Sequence, residues 1–405
     1  MAGISAQATT FNVVNYTGEV IQITPDDTPL TTMMGNLYGG EPVQTTIFEW
    51  QETDLRAAGQ NVAKEGADFP TPQARTRTNV KNVLQIVHEG IEVSDTKQGA
   101  SGQVQDVGSS HTGISSTGEG NPVTSELDFQ VGLSLKQIAR DMEYSVIQGS
   151  FVEPADNDTE RKTRGLISAI STNAFDVSGA TVALSASSSS DDILIDAGHG
   201  LENDDKIQFT ALTGGAGLAL NTTYYVVNAT TGTFQLATSA GGTPVNFTTD
   251  ISAADYETVA DVTADNVLDL LQSVWDNGGI QESETATLIA NSWNKRKLSN
   301  VFLSNASGTG FRQDERTVGG VNLQTLHTDF GVLNIMLNRH VPANTILVAS
   351  VDQLRLKFMD NPGGYLRAEP LARQGIASRV QISGEFGLKW GNQRAHGKLT
   401  GLSTR

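Results

Sequence analysis

The hydrophobic period of this 405-residue chain changes in kind twice, and that change limits the fold more than any single residue does. Before position 149, Leu127, Val131, Leu135, Ile138 and Met142 recur at steps of four and three, the spacing of one helix face. Thr124 is placed to cap this helix, and Gly149 to stop it after Gln148. From 176 to 258 the helical spacing is gone. Short β-like runs replace it (DDILIDA, KIQFTAL, TTYYVVNA, TFQLATS and VNFTT), with Gly and Asn between them. Ser185 to Ser190 reads as a serine-rich linker into this region. At Thr263 the helical period returns. Thr263 suits an N-cap and Asp265 the positive helix start. Val267, Leu270, Leu271, Val274 and Trp275 make an apolar stripe that Asn277-Gly278-Gly279 ends. A β-segment bracketed by helical ones is the pattern of a small antiparallel β-domain inserted into another domain.

The flanking regions alternate between compact and open. Leu30, Met33, Met34 and Leu37 have the spacing of a short amphipathic helix, preceded by a turn or extended arm at Pro25 to Pro29. Residues 43–51 read as a strand and 83–93 as a second, with Val83, Val87, Ile91 and Val93 on one face. About thirty polar residues, including Lys64-Glu65-Gly66 and Pro70-Thr71-Pro72, lie between them. A polar connection of that length is unusual inside a compact domain and suggests a hairpin-like loop that projects to bind something else. Residues 99–122 read as a flexible Gly- and Ser-rich connection. The run TATLIAN reads as a buried strand, Ser292 opens a further helix, and a Gly-rich loop follows at 307–320. Strands are expected at 323–327, 332–338 and 345–350. Val380, Ile382, Phe386, Leu388 and Trp390 mark a half-buried strand, and a last strand near 395–402 is expected to pair with it.

The composition excludes several functions. There is no cysteine, hence no disulfide, thiol nucleophile or thiolate metal site. The formal charge is −18, so the chain has no overall electrostatic footprint for tight phosphate binding, which draws on clustered Lys and Arg. That charge is uneven: residues 176–258 hold ten acidic residues against one basic, Lys206. Neither a signal peptide nor a membrane-spanning apolar run is present.

No constellation for catalysis, cofactor binding or metal binding emerges. His88, His111, His199, His327, His340 and His396 are scattered, and no pair has the spacing of a helical metal site. Asp156, Asp158 and Glu160 resemble the start of a calcium loop, but Arg161 and Ile167 stand where that loop needs Gly and Glu. Gly214-Gly215-Ala216-Gly217 and Gly308 to Gly310 lack a phosphate-binding lysine. Arg75, Arg77 and Lys81 form a modest basic strip on the projecting loop. Solvation, an acidic neighbouring subunit and phosphate are its three explanations, in that order.

Four segments carry a family resemblance. TTIFEWQETDLRAAGQNVAKEG with RTRTNVKNVLQIVHEGIEVSDT resembles the extended-loop region of tailed-bacteriophage major capsid proteins. ELDFQVGLSLKQIARDMEYSVIQG resembles their spine helix, and RVQISGEFGLKWGNQRAHGKLTGL their closing strands. Together the similarity covers 1–175 and 260–405. It implies an α+β chain with the Hong Kong 97-type capsid fold (N-terminal arm, extended loop, spine helix, peripheral and axial domains), here with the inserted antiparallel β-domain. The implied divisions are 1–42 arm, 43–98 extended loop, 99–175 spine helix and peripheral domain, 176–258 insertion, 259–345 axial domain and 346–405 closing strands.

The function it implies is the major structural subunit of an icosahedral or prolate phage head. Such a subunit is a homo-oligomer of pentamers and hexamers, made in the bacterial host cytoplasm and resident in the virion. It encloses double-stranded DNA without sequence-specific binding and works with a portal and, in some heads, a decoration protein. With the sequence read from Met1, an N-terminal scaffold segment is not expected and a separate scaffolding protein is. Some members crosslink through an extended-loop lysine; Lys64 lies in the matching region, with no acceptor or catalytic acid identified. No enzymatic activity, cofactor or membrane contact is expected. Two other readings stay open: another phage structural protein of tail or decoration type, and a carbohydrate-binding or hydrolytic protein built on the β-domain.

Overall fold

The computed structural model describes residues 27–35, 40–53, 55, 58–69, 74–100, 126–156, 158–280, 286–304, 325–360, 365–373 and 375–404. Most of the expected arm, the connection at 101–122 and the Gly-rich loop at 307–320 lie outside them, as do Thr124, Leu37 and His111. The described residues fall in two compact units, one of Asp27 with those of Ile86–Asp141 and Asn361–Glu385, the other of those of Thr28–Gln85, Met142–Asp360 and Phe386–Thr404.

The larger unit is built on a six-stranded sheet. Its order is Thr325–Thr328, Gly331–Leu337, Ala286–Ala290, Ile346–Ala349, Gly397–Thr400 and Ala174–Asp176. Ala286–Ala290 is buried along its whole length, which explains its uninterrupted apolar sequence. Helices Ala264–Asp276 and Ser292–Ser304 pack with this sheet around Val267, Leu270, Leu271, Val274, Leu288, Leu298 and Phe302. Thr263 Oγ1 accepts the Asn266 N–H, as an N-cap should. Trp275 departs from the expected stripe: it is 52% exposed, because it sits about 100° around the helix from buried Val274. The last strand corrects another expectation. Gly397–Thr400 pairs with Ile346–Ala349 and Ala174–Asp176, not with the strand Ala377–Lys389. Gly391 at φ +66° and the 3₁₀ turn Gln393–Ala395 redirect the chain between them.

The insertion is a seven-stranded sheet in the same unit. Its order is Val182–Ala183, Ile251–Thr258, Lys206–Gly214, Tyr224–Val227, Thr233–Ala237, Ile193–Ile195 and Ala186–Ser188, with antiparallel pairing throughout. It has its own apolar cluster around Phe209, Phe234, Phe247 and Tyr256. Two expectations fail here. The serine-rich stretch is not a linker, since Ala186–Ser188 pairs with Ile193–Ile195. VNFTT is not a strand; Phe247 is buried in an irregular segment whose N–H donates to Asp192 Oδ1. Ile251–Thr258 supplies the long strand instead.

Two further strand sets complete this unit. Ile47–Thr53 and Arg77–Val83 form a separate antiparallel hairpin, from Ile47 opposite Val83 to Thr53 opposite Arg77. Arg77–Val83 was not legible as a strand of its own, because five of its seven residues are polar and only Val80 and Val83 carry a pattern. Glu41–Val43 runs parallel to Arg355–Met359, which pairs with the Phe386–Lys389 end of Ala377–Lys389.

In the smaller unit Leu366–Leu371 pairs with the Arg379–Gly384 part of that strand. The strand Gln85–Ser94 alternates as expected, with Ile91 and Val93 buried. The helix Glu126–Gln148 passes from one unit's residues to the other's. Its expected stripe buries at Ile138 and Met142, whereas Leu135 stays 39% exposed. No helix among the described residues is long and apolar enough to cross a membrane.

Candidate assembly elements

The hairpin is rooted by a buried polar knot. Asn82 is fully buried; its Nδ2 donates to Leu388 O (2.7 Å), Thr163 Oγ1 (3.1 Å) and Arg164 O (3.2 Å). Its Oδ1 accepts the Val83 and Arg164 N–H groups, both at 2.9 Å. With donor and acceptor both engaged, this buried amide fixes position without an unpaired group. Aromatic packing adds to it. Trp50 donates to Gly391 O at 2.8 Å and meets Trp390 edge-on at 4.8 Å. Phe48 lies on Gly387, where a Cβ would come within 2.7 Å of the ring and 2.9 Å of Val83 O.

Beyond that root the chain is exposed at every described position from 55 to 76, including Lys64 and Arg75. Leu55, Val62 and Phe69 are 74%, 82% and 85% exposed. The basic strip does not act together. Lys81 pairs with Glu153 at 2.5 Å, and Arg77 donates to Gln51 at 2.9 Å.

A second knot forms where the chain leaves the expected arm. Glu143 is fully buried on the long helix. Its carboxylate accepts the N–H groups of Leu30 (2.9 Å) and Thr31 (2.8 Å) at the start of the helix Pro29–Met33, and Asn338 Nδ2 (2.5 Å). These are N–H groups that a helix start cannot satisfy internally. Leu30 and Met34 are buried beside this knot, as the spacing predicted, while Met33 is half exposed.

The third knot mounts the inserted sheet. Gln208 Nε2 donates to Thr223 Oγ1 (2.8 Å) and Leu402 O (3.3 Å), and the Thr404 N–H donates to Thr223 Oγ1 (2.7 Å). Asp261 accepts from Lys206 Nζ (2.6 Å) on the sheet and Ser403 Oγ (2.5 Å) at the chain's end. Burial pushes the Asp261 carboxyl up, but the hydrogen bonds from Lys206 and Ser403 and the charges of Lys206 and Lys297 outweigh it and hold it below the usual range. Trp293 Nε1 donates to Ser403 O at 3.0 Å.

The described histidines sit at separate places. His88 and His327 are exposed on strands, His340 meets Tyr144 edge-on, and His199 Nδ1 accepts the Leu201 N–H. His396 is fully buried; Nε2 is 2.7 Å from Trp390 O and Nδ1 accepts the Ser350 N–H. Donation to one carbonyl and acceptance at the other nitrogen define a neutral ring, and burial pushes its pKa down. Asp156 Oδ1 accepts the Asp158 N–H, closing a turn. Gly214 and Gly215, at φ +90° and +64°, turn the chain after Lys206–Gly214. Glu143, Asn82 and Asp261 were missed in the sequence. The one signal for Glu143 was a lone charge in the last turns, MEYSVIQ.

The sequence matches the family described as SU10 major capsid protein over residues 3–403. The chain belongs to that family. It is therefore the major structural subunit of a phage head. No curated relative matches the sequence. Among solved structures, the chain is similar to the capsid of cyanophage A-1(L), with 9% identity, 99% of each chain covered and a TM-score of 0.53. It also aligns with Mycobacterium phage Bobi (12% identity, 98% and 99% covered, TM-score 0.49) and with the capsid of a native GTA particle (12%, 98% of each, 0.48). The capsid protein has the α+β Hong Kong 97-type fold with an inserted antiparallel β-domain.

Proposed function

We propose that this capsid protein assembles as pentamers and hexamers of an icosahedral or prolate head around double-stranded DNA, and that it acts without catalysis. One observation carries the reading: a hairpin anchored by a buried amide and paired tryptophans projects Leu55, Val62 and Phe69, which their own chain leaves uncovered. Several large apolar side chains exposed along one projecting loop are the kind of surface that a protein partner covers. The occupant is a neighbouring copy, because shells of this kind close rings through head-to-tail contacts.

In this reading 1–42 is an arm, 43–98 an extended loop, 99–175 the spine helix with the peripheral domain, and 259–345 the axial domain. The inserted sheet at 176–258 faces outward, and 346–405 closes both domains. A net charge of −18 supports enclosure of DNA without sequence-specific binding. A separate scaffolding protein, a portal and a decoration protein complete the head, which forms in the bacterial host cytoplasm. Electron microscopy of the purified chain tests this. Closed shells, or flat sheets of five- and six-fold rings, are expected; a monomer whose melting responds to saccharides would overturn it.

A further inference from the structure

The helix Ser292–Ser304 carries Lys295, Arg296 and Lys297 in succession, in a chain with 27 basic and 45 acidic residues. Trp293 holds two of them on its ring. The Arg296 guanidinium carbon lies 4.7 Å, and the Lys297 ammonium 4.9 Å, from the ring centroid. Their i+3 and i+4 positions put both cations over one side chain. The ring is itself pinned through Nε1 to Ser403 O. Lys206 reaches the same place through Asp261. Two cations, Lys206 and Lys297, therefore flank the Asp261 carboxylate, and Arg296 lies beside Lys297 on the Trp293 ring. Asp261 is already engaged by Lys206 and Ser403, and Lys297 stands off at 4.0 Å. Arg296 is exposed. Exposed Arg296 and half-buried Lys297 thus form a local basic patch in a chain of net −18, the kind of surface that attracts anions.

The same chain supplies the anion. Its inserted sheet is strongly acidic, its single basic residue is occupied by Asp261, and Asp191, Glu202, Asp204 and Asp250 are exposed. We propose that the patch of Trp293, Arg296 and Lys297 receives the acidic inserted sheet of a neighbouring copy in the shell. The competing anion is phosphate of the enclosed nucleic acid. Phosphate binding gains affinity only by summing many contacts, and this patch offers few cations. A protein contact needs only one or two charge pairs to set its register. The inference rests on the chain forming shells.

The test compares particle yield by sedimentation and electron microscopy for wild type, Arg296→Glu, Arg296→Gln, and Arg296→Glu combined with Asp191→Lys and Glu202→Lys. Expected are about tenfold more unassembled chain for Arg296→Glu, a smaller loss for Arg296→Gln, and recovery in the combined variant. Both glutamate and glutamine variants assembling like wild type would overturn the proposal. So would a loss that the lysine substitutions fail to restore, or normal shells with reduced nucleic-acid content, the signature of phosphate. If wild type itself forms no shells or sheets, it is the shell reading that fails.

Discussion

Removing the Glu143 carboxylate leaves three donors, the N–H groups of Leu30 and Thr31 and the Asn338 amide, buried without an acceptor. Each such group costs about 1–3 kcal/mol. Glu143→Ala is thus expected to destabilise the unassembled chain by roughly 3 kcal/mol or more, read as a lowered urea midpoint. Exposed Glu160→Ala is the control and should stay within about 0.5 kcal/mol. His396 behaves differently because its proton is the variable. Its folded pKa lies below the ordinary value of 6.5, so the unfolded chain binds the proton first. The stability it contributes is complete above pH 6.5 and is lost as pH falls from there toward the folded pKa. His396→Gln keeps a donor for Trp390 O and does not titrate. It should flatten the fall of the melting midpoint just below pH 6.5. An unchanged slope would remove His396 as the cause. Asp261, whose pKa is depressed, acts in a separate and more acid window: its contribution is present above its ordinary value of 3.8 and lost below it.

The hairpin separates anchoring from binding. Its root lies in the chain's own core, while described residues 58–69 touch none of it deeply enough to be buried. Replacing 58–69 with a short Gly-Ser turn is therefore expected to leave the urea midpoint nearly unchanged and to abolish particles in electron micrographs. Trp50→Ala should do the reverse in degree. It removes the Gly391 hydrogen bond and the Trp390 contact, and, Trp50 being half-buried, costs roughly 2 kcal/mol before assembly is considered. The same division explains what could be read in the sequence. Helix Ala264–Asp276 and strand Ala286–Ala290 were legible because one core dictates their apolar period. Ile251–Thr258 and Arg77–Val83 were not, since each is specified mainly by backbone pairing to a partner strand and alternates weakly. The final strand's partners could not be read either. They depend on a Gly391 turn whose direction a one-dimensional pattern does not carry. The knots at Asn82, Glu143 and Asp261 are tied by contacts up to 306 positions apart, so local spacing holds little trace of them.

An inserted sheet with its own core could hang from two flexible linkers, yet this one is fixed at its base. Gln208 and Thr223 from the insertion meet Leu402 and Thr404, and Asp261 ties Lys206 to Ser403, while Trp293 bonds Ser403 and Asn344 bonds Leu402. The end of the chain thus acts as a wedge between the insertion and the six-stranded sheet. Fixing matters for a shell, because about half of the molecule's net negative charge then occupies a set position in every copy. Loosening the wedge should free the insertion without unfolding it, since Phe209, Phe234 and Tyr256 remain packed. For Asp261→Ala combined with Gln208→Ala, amide hydrogen exchange is expected to rise at 176–181, 206–208, 223–224 and 259–262. Protection should persist at Thr233–Ala237 and at Ala286–Ala290, inside the two separate cores. Exchange that rises equally across the insertion's own core would mean the wedge stabilises the sheet itself and not its mounting. No change at all would mean the linkers alone set its orientation.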